Sequence, residues 1–325
     1  MKEKVLFSVF LSLLMLLAIS PRVSVEAATP EDFPLYAGQH TVVGEVVVWN
    51  DGENLYVKYT ITESGWYLVE THLEVATNLS DIPQTRNGNP IPGHFTYKNE
   101  SHTFGTTEYT YTLPLDGGEI LYIAAHAVVM NLIGDGSSWQ WATEVIDYKQ
   151  GTLKDGNPIT DPARMDPSTT LGDPDDSFYS LGFVNESRGD GWIELGFGYP
   201  VYNGPGADIA IREITYGRPN YPEEKADVYV WPLGGSDWVY AGTASNKNEY
   251  SYIEIPDYIM YVEKIKLVDS TDKSLHSNNA DGFDVDAVGV RYLYLGEETA
   301  WAGGVEFPGK NWARYFNYTV QETSE

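Results

Sequence analysis

The chain has 325 residues, with 47 Asp and Glu against 20 Lys and Arg, a formal charge of −27 and no cysteine. A surface this acidic repels phosphate backbones, which argues against nucleic acid as a partner, and it favours hard cations and solubility outside the cell. The missing cysteines exclude thiol nucleophiles, thiolate metal sites and disulfides; two domains of ordinary size bury enough apolar surface without cross-links.

Lys2 and Lys4 precede an apolar run, Val5 to Ile19, and small side chains follow at Val25 and Ala27. This order predicts a secretory signal peptide over residues 1–27, cleaved after Ala27. The run falls short of the roughly 20 residues of a spanning helix, so the mature chain is expected to have no membrane span and to be secreted or held at the cell surface.

Beyond Ala28 the chain reads as all-β. Thr41 to Trp49 is Val-rich, Asn50 to Asn54 is a turn cluster, and Leu55, Val57, Tyr59 and Ile61 alternate with Tyr56, Lys58 and Thr60, which predicts a hairpin with one wet face. Further strands are expected at Trp66–Val75 and Glu108–Leu113, with a long Pro- and Gly-rich loop from Asn78 to Lys98 between them. Ile120 to Val129 is almost continuously apolar and should be a central strand, with His126 a hydrogen-bonded core residue. Asp147 to Asp176 has little periodicity. After it come short strand signals at Phe178–Phe183, Trp192–Phe197, Ile209–Tyr216, Ala226–Trp231, Trp238–Thr243, Tyr250–Ile255, Val262–Val268 and Phe283–Tyr294, the pattern of a jelly-roll-like sandwich. No long amphipathic helix is legible. The tail carries Trp301, Phe307, Trp312, Tyr315, Phe316 and Tyr318, too much aromatic area to leave in water, so it should complete a sheet.

Several aspartates fall where calcium ligands would. Asp173, Asp175 and Asp176 share one turn, Asp208 and Glu213 flank a strand, and Asp269 lies near Asp284 and Asp286. Alternation sends Asp284 and Asp286 to one side of their strand, with space for a cation that takes six to eight oxygens at about 2.3–2.6 Å. An EF-hand is excluded, because twelve residues from Asp173 end at Val184. The plainer reading makes these acids turn caps and backbone acceptors. Trp231, Trp238 and Tyr240 are candidates for a sugar platform, set against the ordinary role of sandwich aromatics. Glycosylation sequons stand at Asn78, Asn99, Asn185 and Asn317. No G-x-S-x-G, H-E-x-x-H or P-loop occurs, so catalysis is not expected; among 47 acids a glycosidase pair would be invisible.

Two sets of motifs resemble known families. Ala37-Gly38-Gln39-His40, Val48-Trp49-Asn50-Asp51-Gly52, Ala124-Ala125-His126-Ala127, Thr299-Ala300-Trp301 and Asn311-Trp312-Ala313-Arg314-Tyr315-Phe316 resemble a β-rich module of prokaryotic cell-surface and secreted proteins. Leu171-Gly172-Asp173-Pro174-Asp175-Asp176, Asn203-Gly204-Pro205-Gly206-Ala207-Asp208 and Gly282 to Val288 are similar to a galactose-binding-like, discoidin-type jelly roll of bacterial and archaeal surface proteins. The combination implies two β-sandwich domains, the second inserted in a loop of the first: residues 28–133 plus 297–325 around residues 134–296. It implies a surface location; taken with the acids and aromatics above, the expected function is that of a non-catalytic surface protein, stabilised by Ca²⁺, for adhesion to a glycan or matrix. The alternatives are a self-assembling subunit of a surface layer or filament, donating Ala28 to Phe33 or a sheet edge to its neighbour, and a glycan-active hydrolase.

Overall fold

The structure, a computed structural model, describes residues 28–115, 119–185 and 187–322. The signal-peptide segment, residues 1–27, lies outside the described residues. Within them the chain is strands joined by turns and five short 3₁₀ turns, and no helix is long and apolar enough to cross a membrane. The all-β expectation holds. The strands make two sheets, one of 16 strands and one of five among the described residues.

The expected hairpin forms between Thr41–Asn50 and Asn54–Ile61, in register from Gly44 against Ile61 to Asn50 against Leu55. Asp51 sets its turn by accepting from the Glu53 and Asn54 amides at 3.1 and 2.8 Å. Leu55, Val57, Tyr59 and Ile61 are buried, as alternation requires. Ile120–Ile133 is indeed central. Trp66–Ala76 runs along one side of it, and Leu293–Ala302 and Arg314–Thr319 share the other.

The aromatic tail completes this sheet. Phe316 pairs with Ile123 in register and stacks on Phe33, ring centroids 3.8 Å apart. The Tyr318 hydroxyl donates to Asn50 Oδ1 at 2.7 Å inside the core. Tyr318→Phe should therefore cost about 1–2 kcal/mol, the worth of a buried hydrogen bond that leaves an acceptor short. Urea unfolding checks this; a midpoint within error of wild type would remove the bond from the list of stabilising contacts.

The segment expected to be free for donation to a neighbour is used internally. Glu31–Ala37 pairs with Thr41–Asn50 from Glu31 against Val48 onward, and Leu35–Ala37 also pairs with Leu293–Ala302. Glu31 to Phe33 is thus paired along one edge, with the Phe33 ring stacked on Phe316, so donation to a neighbour would have to use its other edge.

Two main cores result. One draws on residues from Leu35 to Val129 together with Ala300, Ala302, Phe316 and Tyr318. The other draws on residues from Ala142 to Leu293. In the second, Trp192–Gly196 lies between Glu144–Lys149 and Tyr261–Asp269, followed outward by Lys225–Pro232 and Val239–Ser245. The facing sheet holds Tyr179–Ser180, Asp284–Val290, Ile209–Glu213 and Tyr250–Ile253.

Three local expectations change. Phe283–Tyr294 is not one strand: Asp284–Val290 belongs to the five-stranded sheet and Leu293–Ala302 to the larger one, so the chain changes sheets at Arg291 and Tyr292. Glu144–Lys149 is a strand that runs into the stretch that looked irregular. It pairs on one side only and is mostly exposed, so it has no apolar alternation to read. Phe178–Phe183 shortens to Tyr179–Ser180, because Gly182 turns to φ 76° where it meets the backbone of Gly151; a Cβ there would lie 2.6 Å from Gly151.

Candidate metal centre

Asp284–Val290 and Ile209–Glu213 pair with a register shift, Arg212 lying opposite Ala287 and Glu213 opposite Val285. The skipped residue is Asp286. A bulge of this kind re-aims side chains, and here it separates the two aspartates that alternation alone would align. Asp286 is ion-paired with Arg212 and accepts from the Asp175 and Asp176 amides at 3.2 and 3.4 Å. Asp176 meets the same guanidinium at 2.8 Å. Asp284 instead meets Glu213 and Glu224. These three carboxylates each offer an oxygen within 4.8 Å of the others, and their residues are 3%, 2% and 0% exposed.

Their hydrogen bonds are too few for three anions. The Thr215 amide donates to Glu213 Oε2 at 2.7 Å, and Tyr221 Oη donates to Glu224 Oε1 at 2.9 Å. The Thr215 hydroxyl lies 2.8 Å from Glu213 Oε2 and 3.1 Å from Glu224 Oε2, and with one proton it serves one of them. Ser180 Oγ donates to Asp284. Burial is the first cause that pushes all three carboxyls up, Glu213 to about 7; the neighbouring Asp284 and Glu213 add to the rise at Glu224, and Asp281 and Glu213 to that at Asp284. His276, its side chain 1% exposed, has Nε2 3.2 Å from the Glu223 carbonyl oxygen, which assigns that nitrogen the proton. Its Nδ1 faces Glu224 Oε1 at 3.8 Å. Either a proton on Nδ1 or a cation between the two would satisfy that nitrogen and the carboxylate oxygen.

The other predicted ligands lie elsewhere. Asp208 accepts from the Gly204 and Ile255 amides at 2.9 and 2.8 Å, and burial raises its carboxyl to about 6. Asp269 accepts from the Phe283 amide and the Thr271 hydroxyl, and burial raises it to about 7. Both tie loops to strands. Asp175 caps the Ser177 amide, and Asp173 is exposed. Of the eight acids named from sequence, the structure gathers Glu213 and Asp284 into the cluster and adds Glu224, which the sequence reading missed. Glu223-Glu224 is a doublet with one carboxyl half-exposed and one sealed in, and nothing in the doublet itself distinguishes them.

Trp231 and Trp238 do come together, edge to face with centroids 5.2 Å apart, and Tyr240 stands beside Tyr229 on the same sheet face. Lysines lie over the two Trp rings, whereas Tyr240 is 52% exposed. Lys264 Nζ lies 5.3 and 5.0 Å from the two Trp rings, Lys266 Nζ lies 3.8 Å from Trp192, and Glu194 bonds both lysines at 2.6 and 3.2 Å. A sugar on the lysine side of either Trp ring would have to displace that lysine. Among the sequons, Asn78 and Asn317 are exposed, whereas Asn99 and Asn185 are half-buried and accept from the amides of Ser101 and Ser187.

No protein-family model and no curated protein matches this chain. Solved structures similar to it include the C-terminal domain of a chitobiase from Bacteroides fragilis, 12% identical over 51% of this chain and 100% of that one, with a TM-score of 0.32. A two-domain protein of unknown function from Bacteroides fragilis is 13% identical, covering 80% and 94%, with a TM-score of 0.28. A SusE-like protein is 10% identical, covering 83% and 96%, with a TM-score of 0.25. At scores this low these likenesses bear on neither site nor activity.

Proposed function

We propose that this is a non-catalytic extracellular surface protein whose second core, residues 134–296, forms an inserted domain stiffened by a calcium ion held by Glu213, Glu224 and Asp284. The observation that carries this reading is the convergence of three sealed carboxylates and the His276 nitrogen without enough donors to neutralise them. Three carboxylates supply up to six oxygens, the low end of a calcium shell. The acidic surface, the predicted signal peptide and the resemblance to surface modules support an extracellular location. The perturbed acids do not favour hydrolysis, because Thr215, Tyr221 and Asn246 stand between them and solvent, and a substrate bond cannot reach them.

The test is thermal unfolding of the mature chain in EDTA and in CaCl₂, with MnCl₂ and ZnCl₂ as comparison because His276 supplies a nitrogen. A cation bound only by the native state stabilises it by about 2.7 kcal/mol at a hundred times its Kd. A clear rise in Tm with CaCl₂ is expected, larger at pH 8 than at pH 5, where the ligands bind protons instead. Identical curves in all four solutions would reduce the triad to protonated carboxyls sharing hydrogen bonds.

A further inference from the structure

A cleft of about 290 Å³ opens above the triad, lined by Thr215, Tyr216, Arg218, Tyr221, Asn246 and Lys247 among others. That is close to the small end of ligand pockets, about 300 Å³, with room for one sugar ring rather than an extended chain. The loop that walls it takes left-handed backbone twice, at Gly217 (φ 75°) and at Asn220 (φ 59°). Asn, like Gly, takes this conformation readily in turns, so the two residues let the loop fold back over the cleft.

The charge at its mouth runs against that of the protein. In a chain of charge −27, Arg218 is exposed at the cleft and forms no ion pair among the described residues. Its guanidinium lies over the Tyr221 ring, 5.5 Å from the centroid, which holds its planar fork in place. Lys247 adds a second cation and shares Glu223 with Lys225, at 3.2 and 3.4 Å. Tyr216 presents a ring that is 47% exposed. A free guanidinium fork selects a planar carboxylate, and an exposed ring beside it suits the C–H face of a sugar.

We infer that this cleft binds a carboxylated sugar, a uronic-acid residue of an extracellular polysaccharide, with its carboxylate on Arg218 and its ring on Tyr216. The floor links this site to the metal centre, since the Thr215 and Tyr221 hydroxyls bond the triad acids. A cation on those acids fixes the floor and so tightens sugar binding; this coupling rests on the calcium reading above, whereas the sugar site rests on Arg218 and the cleft.

The experiment is calorimetric titration of the mature chain with galacturonate, glucuronate, galactose and glucose, each in CaCl₂ and in EDTA. Uronates should bind at least about tenfold more tightly than the neutral sugars, and Arg218→Ala should weaken them about tenfold or more, the loss of one charge-assisted bidentate contact. Arg218→Lys should recover part of the affinity, and because Arg218 loses only an exposed cation–π contact with Tyr221, the variants should melt within a few degrees of wild type, roughly 2–4 °C per kcal/mol. Failure of both uronates to bind, or binding that Arg218→Ala leaves unchanged, overturns the site. Uronate binding that is equal in EDTA upholds the site and overturns its coupling. A calcium-induced rise in Tm with no uronate binding overturns the sugar site and leaves the calcium reading standing.

Discussion

Glu224→Gln should melt higher than the wild-type chain in EDTA at pH 8, and lower than it in saturating CaCl₂. The amide keeps the shape of the carboxyl and its acceptor for Tyr221 Oη, and it removes a carboxyl that burial and its acidic neighbours hold protonated at pH 8, although it is charged in the unfolded chain. Holding that proton about 3.5 pH units above the unfolded value costs about 5 kcal/mol, and for a unit of this size each kcal/mol moves Tm by roughly 2–4 °C. The expected gain in EDTA is therefore roughly 10–20 °C. In calcium the same change removes a ligand, so most of the calcium-induced rise should vanish. The pH dependence follows from the raised carboxyl pKa values. The folded state binds more protons than the unfolded one, so the stability these groups contribute is complete below about pH 4.5. It is lost as pH rises through the folded values, about 7 at Glu213. The advantage of Glu224→Gln in EDTA should accordingly fade at pH 5. A variant that melts like wild type in EDTA and still gains the full calcium increment would show that Glu224 neither suffers repulsion nor binds the ion.

The first core should fail in the opposite pH direction. His126 sits in register opposite His72 on the neighbouring strand, their Nδ1 atoms 3.2 Å apart, and its ring packs 4.8 Å from that of Trp301. Burial, helped by His72, pushes His126 down to about 3. His72 is also lowered by burial, although Glu70 at 3.7 Å and the nearby Glu100 work against it and Lys98 works with it. Here the unfolded state binds more protons, so stability is full above about pH 6.5 and is lost as pH falls toward the folded value. At about 1.4 kcal/mol per pH unit, some 3 kcal/mol should be gone by pH 4. His126→Gln, which has no charge to acquire, should keep most of that stability at pH 4 while gaining nothing at pH 7.5. Melting followed by circular dichroism across pH 4–8 measures both limbs. An acid limb unchanged by His126→Gln would assign the loss to other groups. In EDTA the wild-type chain should be most stable near pH 5–6, between the two slopes.

Much of the architecture was legible because it follows from side-chain periodicity. Leu55 to Ile61 alternates because one face of that strand meets the core, and Ile120 to Val129 is almost continuously apolar because both of its faces are largely buried. The aromatic tail had to find a sheet, since its rings could not be left in water. These signals are local: each depends on which face of one strand is buried, and a strand records that in its own order of residues. Glu144–Lys149 escaped for the same reason, as a one-sided, exposed edge strand has little apolar pattern to show.

The cluster of buried acids was only half legible. Asp284 and Glu213 could be singled out as acids in or beside strands, and Asp286 had an equal claim on the same pattern. What separated them was a bulge opposite Arg212, which gives Asp286 to a guanidinium and leaves Asp284 to the other carboxylates. Glu224 joins from a loop, next to an acid that remains in contact with water. The sequence by itself determined that the chain is all-β, which strands are central, and that its acids far outnumber its bases. Only the tertiary structure decided which acids meet, because the energy of a buried carboxylate depends on what faces it across a few ångströms, and those neighbours come from strands and loops far apart in the chain.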